Sequence, residues 1–169
     1  LARELKNRKL EAGTLITLGN VYIFLKNYEK AIELLEQAVS IARDVNGLQE
    51  ESSALSTLAL IYNNQGKGGE IIEIRIRQIE IAREQDDKLH EAISLITLAS
   101  NYNFSGEYQK AIDINQQGLA ILRTIEIKKQ KPSVQENILE YEPRALKNLS
   151  FSYRWLGEYN KSLDFAQQG

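Results

Sequence analysis

The side chains able to do chemistry are few and poorly spaced for it. His90 is the only histidine among 169 residues and cysteine is absent, which removes a thiolate nucleophile, a Cys-His pair and a thiolate or multi-histidine zinc site. Carboxylates lie close together at Glu50 with Glu51 and at Glu140 with Glu142. Such a pair serves as general acid and base when its environment drives the two pKa values apart, but these fall at polar helix ends, where solvation is expected. The stretch "GKGG" from Gly66 puts a lysine among glycines without phosphate-loop spacing or a preceding strand. No enzyme, metal or cofactor is expected.

The elements that would position any site come from internal repetition. "LITLGNVYIFLKNYEKAI" from Leu15 returns as "LITLASNYNFSGEYQKAI" from Leu95, and "LSTLALIYNNQGKGGEII" from Leu55 lies midway, so the period is 40 residues. A fourth copy, "LKNLSFSYRWLGEYNKSL" from Leu146, follows the third after 51, an insertion of 11. Each copy holds two helical patterns: Leu15, Leu18, Gly19 and Tyr22, then Ala31, Leu34, Leu35, Ala38 and Val39, both at i, i+3, i+4, i+7 spacing. Small residues recur where helices must approach, as Gly19, Ala59, Ala99, Ser150 and as Ala31, Ala111, Ser162. One copy alone could not bury its apolar faces; stacked copies bury a continuous core. In this frame "IIEIRIRQIEIA" from Ile71 is a helix despite its alternation, with Arg75 in the column of Leu35 and Ile76 in that of Glu36.

The run Leu15, Leu18, Gly19, Tyr22, Tyr28 and Ala31 resembles the tetratricopeptide repeat, with Leu15 in place of the usual Trp. The 40-residue period is similar to the arrays of kinesin light chain, Pins-type adaptors and bacterial, especially cyanobacterial, CHAT-domain proteins. The resemblance implies an all-α, right-handed α-solenoid of antiparallel helix pairs forming one array. Residues 1–8 would end a preceding repeat, with repeats at 9–47, 48–87, 88–125 and 143–169 and an insertion at 126–142. The frame opens inside one repeat and stops inside another, and methionine is absent, so a piece of a longer array is expected.

The resemblance also implies a concave groove lined by the first helix of each repeat. The stripe beside the core there reads Ile16, Asn20, Ile23, Phe24, then Ser56, Leu60, Asn63, Asn64, then Ile96, Ser100, Asn103, Phe104, and finally Lys147, Phe151, Arg154, Trp155. An Asn amide both donates and accepts, which suits the backbone of an extended peptide. Phe24, Phe104, Phe151 and Trp155 offer apolar anchors, or else pack only against neighbouring helices. Arg144, Lys147 and Arg154 make the last repeat basic, fitting acidic side chains or a C-terminal carboxylate. The carboxylate-clamp subclass places a lysine one turn before a groove Asn, whereas Ile16 precedes Asn20, so a chaperone-tail receptor is disfavoured.

A net charge of −2 and a pI near 5.6 argue against nucleic acid. No apolar run spans a membrane or makes a signal peptide, and a cytoplasmic protein is expected. The expected function is a scaffold binding a peptide or partner helix. The alternatives are the sensor arm of a larger enzyme such as a CHAT protease, and a structural stacking module.

Two local irregularities stand out. Pro132 lies within the insertion, where it should end any extension of the preceding helix and Ser133 with Glu136 could cap a short extra helix, and Pro143 just after it could open the next; the insertion is a tolerated surface segment or a partner-specific element. Adjacent Gly68 and Gly69 should delay the second helix of repeat 2, with Ile71 filling space left by a missing Tyr.

Overall fold

Where the sequence changes from one helical pattern to the next, a single left-handed residue turns the chain. Lys26, Gly66, Gly106 and Gly157 share one repeat column and all have φ between 59° and 79°. Glycine reaches that region without a Cβ clash. The amide one residue later donates back to the carbonyl of Tyr22, Tyr62, Tyr102 or Tyr153, closing each first helix in the same way. In the computed structural model, which describes residues 2–125 and 131–169, every element among them is helical: α1 (Ala2–Phe24), α2 (Tyr28–Asp44), α3 (Leu48–Asn64), α4 (Gly68–Glu84), α5 (Lys88–Phe104), α6 (Tyr108–Thr124), α7 (Pro132–Trp155) and α8 (Tyr159–Gln168).

The chain divides into two compact units, Leu1–Ile74 and Arg75–Gly169. In the first, α1 and α2 meet at the small columns: a Cβ on Gly19 would stand 3.0 Å from Leu35 Cγ, and Ala31, Leu35, Ala38 and Ala42 are fully buried. In the second unit α5, α6 and α7 enclose Ala92, Ile96, Ile112, Leu119, Leu122, Ala145 and Leu149. Ser150 and Ser162 carry the same idea as a polar contact, their hydroxyls 3.2 Å apart between α7 and α8.

Repeats are also joined by an ion pair that recurs with the period. Arg43 Nε donates to Glu51 at 2.7 Å, Arg83 Nε to Glu91 at 2.7 Å, and Arg123 Nε to Glu142 at 2.8 Å. Each links the last turn of a second helix to the following first helix, in its first turn at Glu51 and Glu91 and midway along α7 at Glu142. Glu142 keeps the column because the insertion lies between it and Arg123.

Three local expectations need correction. The glycine pair delays nothing: α4 starts at Gly68, in the column of Tyr28, Tyr108 and Tyr159, because the turn is already fixed by Gly66 and by the Lys67 amide on Tyr62. The insertion makes no separate short helix. Pro132 occupies the first turn of α7 and the helix continues through Pro143 to Trp155, with Ser133 inside the helix rather than capping it. Residues 126–130 of the insertion lie outside the described residues. Similarly α1 runs unbroken through Lys6, whose column holds the left-handed Asn46 and Asp86 elsewhere; Asn and Asp tolerate that conformation better than Lys.

Candidate protein-binding face

Each first helix has one face in the core and a neighbouring face that carries the candidate site residues. In the first unit, α1 leaves Asn20 exposed and Phe24 87% exposed. On α3, Asn63 and Asn64 are exposed, with Leu60 beside them at 56%. In the second unit Phe104, at the end of α5, is 88% exposed. On α7, Lys147 and Arg154 are exposed, Phe151 is 36% and Trp155 57% exposed. A phenyl ring left in water forgoes about 2 kcal/mol of burial, so Phe24 and Phe104, in one column at nearly full exposure, contribute almost nothing to the stability of the free fold.

Three members of the stripe lie elsewhere. Ile16 and Ile96 are buried core residues, and Asn103 is 8% exposed. The Asn103 amide donates to the carbonyl of Asn148 at 3.2 Å and its oxygen accepts from Ser152 at 2.6 Å. Asn148 in turn donates to Ser100 at 2.8 Å and to the carbonyl of Ile96 at 3.2 Å. Asn103 thus ties α5 to α7. The spacing along α5 sets it beside Phe104, but the approach of α7 with hydroxyl and carbonyl partners is not visible in the sequence of α5 itself.

Around Trp155 the aromatics form a cluster. The rings of Tyr108 and Trp155 are stacked with centroids 5.7 Å apart, and Phe151 lies edge-on to Tyr108 at 6.3 Å. Tyr108 joins the candidate cluster although a stripe drawn on first helices does not contain it, because it begins a second helix; its recurrence as Tyr28 and Tyr159 is the signal the sequence offers. The Arg154 guanidinium stands 5.4 Å from the Phe151 ring, within cation–π range. No ion pair engages Lys147 or Arg154 among the described residues, whereas Arg144 is held by Glu140 at 2.7 Å. Nearby carboxylates are also taken: Glu107 pairs with Lys110, and Glu158 with Lys161 at 2.6 Å. Hydrogen bonding to those carboxylates raises both lysine pKa values. The cluster therefore presents two uncompensated cations beside three rings.

His90 lies at the start of α5 with its ring 2.7 Å from Asp87, which also caps the helix by accepting from the His90 amide. Among the described residues no group of His, Cys, Asp or Glu is arranged to hold a metal, and no helix is long and apolar enough to cross a membrane.

Repeated antiparallel helix pairs with an exposed polar and aromatic face define an α-solenoid repeat protein. Tetratricopeptide repeat models match residues 12–45 and 50–124, together more than half of the sequence, and the chain belongs to the tetratricopeptide repeat family. That family supports a protein-interaction scaffold. Similar solved structures include BtubC (BKLC) from P. vanneervenii, at 19% identity and TM-score 0.74 over 95% of this chain and 62% of that one. The apo form of RapI is similar at 17% identity and TM-score 0.78, over 96% of this chain and 42% of that one. A signal-transduction ATPase with a tetratricopeptide repeat sensor from Pyrococcus horikoshii gives 20% identity and TM-score 0.76, over 99% and 25%. This chain thus spans less than two thirds of each. No curated protein matches it in sequence.

Proposed function

We propose that this chain is a non-enzymatic, cytoplasmic protein-interaction module that takes an extended peptide or partner helix along its first-helix faces. Asn20, Phe24, Asn63, Asn64 and Phe104 contact it, and the Tyr108, Phe151 and Trp155 rings with Lys147 and Arg154 take an acidic, apolar segment. Asn103 contributes by holding α5 against α7. The observation that carries this reading is the exposure of Phe104, Phe151 and Trp155 beside Lys147 and Arg154, which form no ion pair among the described residues. Negative charge and apolar side chains together on one ligand would satisfy both features. Nucleic acid and membrane are not the partners proposed, in line with the acidic pI of 5.6.

The test is selection from a random peptide display library, followed by titration of the enriched peptide. Acidic sequences with an aromatic or aliphatic anchor should be enriched. Lys147→Glu with Arg154→Glu should weaken the enriched peptide roughly tenfold or more, since rim and centre charges together are worth about 1.4 kcal/mol or above, with helical circular dichroism unchanged. Enrichment of basic peptides, or an affinity indifferent to the double substitution, overturns the assignment. The fold similarity to an ATPase's tetratricopeptide sensor favours one second reading, in which the same face reports its occupancy to an enzyme domain of a longer chain.

A further inference from the structure

The last residue of each first helix stays open even where another repeat packs beyond it. Phe24 closes α1 at 87% exposure with α3 packed against that helix, and Phe104 closes α5 at 88% with α7 packed against it. Asn64 holds the same column, exposed, at the end of α3. Trp155 holds it at the end of α7, with the Tyr108 ring flat against the indole at 5.7 Å between centroids and 6° between planes. A following repeat is therefore not what this column lacks.

In the second compact unit the Phe104 and Trp155 rungs stand on helices in direct contact. Asn103 on α5 donates to the Asn148 carbonyl on α7 and accepts from Ser152, and helices packed this closely have axes about 8–10 Å apart. A ligand crossing both must present side chains to the two rings at about that interval. A strand places same-face side chains about 7 Å or about 13 Å apart. An α-helix places them about 5–6 Å apart on successive turns and reaches about 10 Å only at i, i+7. A polyproline II segment has three residues per turn and rises about 3.1 Å per residue, so i and i+3 share a face about 9 Å apart.

The polar atoms beside the rings favour the same occupant. The Trp155 indole N–H and the Tyr108 hydroxyl make no hydrogen bond among the described residues. Glu107, next to Tyr108, and Glu158, in the turn after α7, are engaged by Lys110 and Lys161. Donors are therefore free where the carboxylates are held. Polyproline II carbonyls have no internal partner and can accept from such donors, and prolines bring no N–H that needs an acceptor. A helix has already bonded its carbonyls internally, and a strand adds an N–H at each residue.

We infer that the ligand segment crossing α5 and α7 is a proline-rich polyproline II stretch, with prolines at i and i+3 laid on Phe104 and Trp155 and its carbonyls accepting from the Trp155 indole and the Tyr108 hydroxyl. This rests on the proposal that the first-helix faces take a peptide, and it specifies that peptide's conformation and residue class. The stiffness of polyproline II reduces the entropy lost on binding to rings that are themselves set by the helix ends.

Trp155, the only tryptophan, reports the contact through its fluorescence. Its titration uses a short oligoproline, alanine peptides of the same length with proline at every third or every second position, and the acidic peptide enriched by display. The oligoproline and the every-third peptide should shift the emission, with the every-second peptide about tenfold weaker or more. Phe104→Ala, at a site too exposed to disturb the fold, should weaken the oligoproline by about tenfold with helical circular dichroism unchanged. Equal binding of the two alanine peptides, or an affinity indifferent to Phe104→Ala, overturns the inference. No response to oligoproline while the enriched acidic peptide still shifts Trp155 also overturns it, and leaves the peptide-binding reading in place. No response to any of the peptides overturns both.

Discussion

Glu91 shows how a single residue carries the repeat junction. It is 5% exposed and accepts from Arg83 at 2.7 Å and Lys88 at 3.1 Å. Burial pushes its pKa up, but hydrogen bonds from Arg83 and Lys88 and their charges outweigh that, leaving it below the ordinary carboxylate value. A folded-state pKa below the unfolded one stabilises above the unfolded value, and the contribution is lost as pH falls through the folded value. Glu91→Gln should therefore cost about 1–3 kcal/mol at neutral pH, in urea unfolding, with the penalty shrinking as pH drops below the carboxylate range. A penalty independent of pH would mean that packing, not charge, is what the substitution removes. The Arg and Glu columns were present in the sequence at their 40-residue shift. Their pairing was not legible, because an eight-residue separation matches no contact within one helix and becomes close only when the chain turns at Asp86.

At the scale of elements, α7 departs furthest from what the prolines suggested. Pro143 and Leu139 both lie on the exposed side, so the carbonyl deprived of its partner by the proline opens toward water and the helix survives. What holds the inserted half in place is Ile138, 2% exposed in the cluster that includes Ile112, Leu119 and Leu122, with Val134 and Tyr141 packed beside it. Asn115 adds a bond to the Ala145 carbonyl at 2.6 Å, just beyond the proline. Ile138→Ala should cost about 2–4 kcal/mol, against about 0.5 kcal/mol or less for Leu139→Ala on the outer side, both read from urea midpoints. Equal small effects would make residues 132–142 a passive surface segment. The repeat frame made the helix pairs, their small-residue columns and the exposed aromatics legible, because each depends on spacing within one helix. The helical continuation and the loss of Asn103 from the binding face depended on which element packs against which, and a single helix pattern does not contain that information.

At the scale of the whole chain, a repeat protein places its stabilising contacts between neighbours, so a defect weakens its own surroundings first. Leu35 lies in the compact unit Leu1–Ile74, fully buried beneath Gly19. Trp155, the only tryptophan, lies in the unit Arg75–Gly169, stacked on Tyr108. Leu35→Ala should remove about 2–5 kcal/mol locally. In urea, helical circular dichroism, which reports every helix, should then begin to fall at lower denaturant than Trp155 fluorescence, whose midpoint should stay near that of the wild type. The reciprocal substitution, Leu149→Ala in the second unit, should move the fluorescence midpoint instead. A globally cooperative chain gives a different result, in which both probes shift together after either substitution, as two-state behaviour requires. Coincident shifts would show that stability is shared along the whole array, and a partner bound at the last repeat would then stabilise α1 as much as α7. Separate shifts would confine the effect of that partner to the unit it touches.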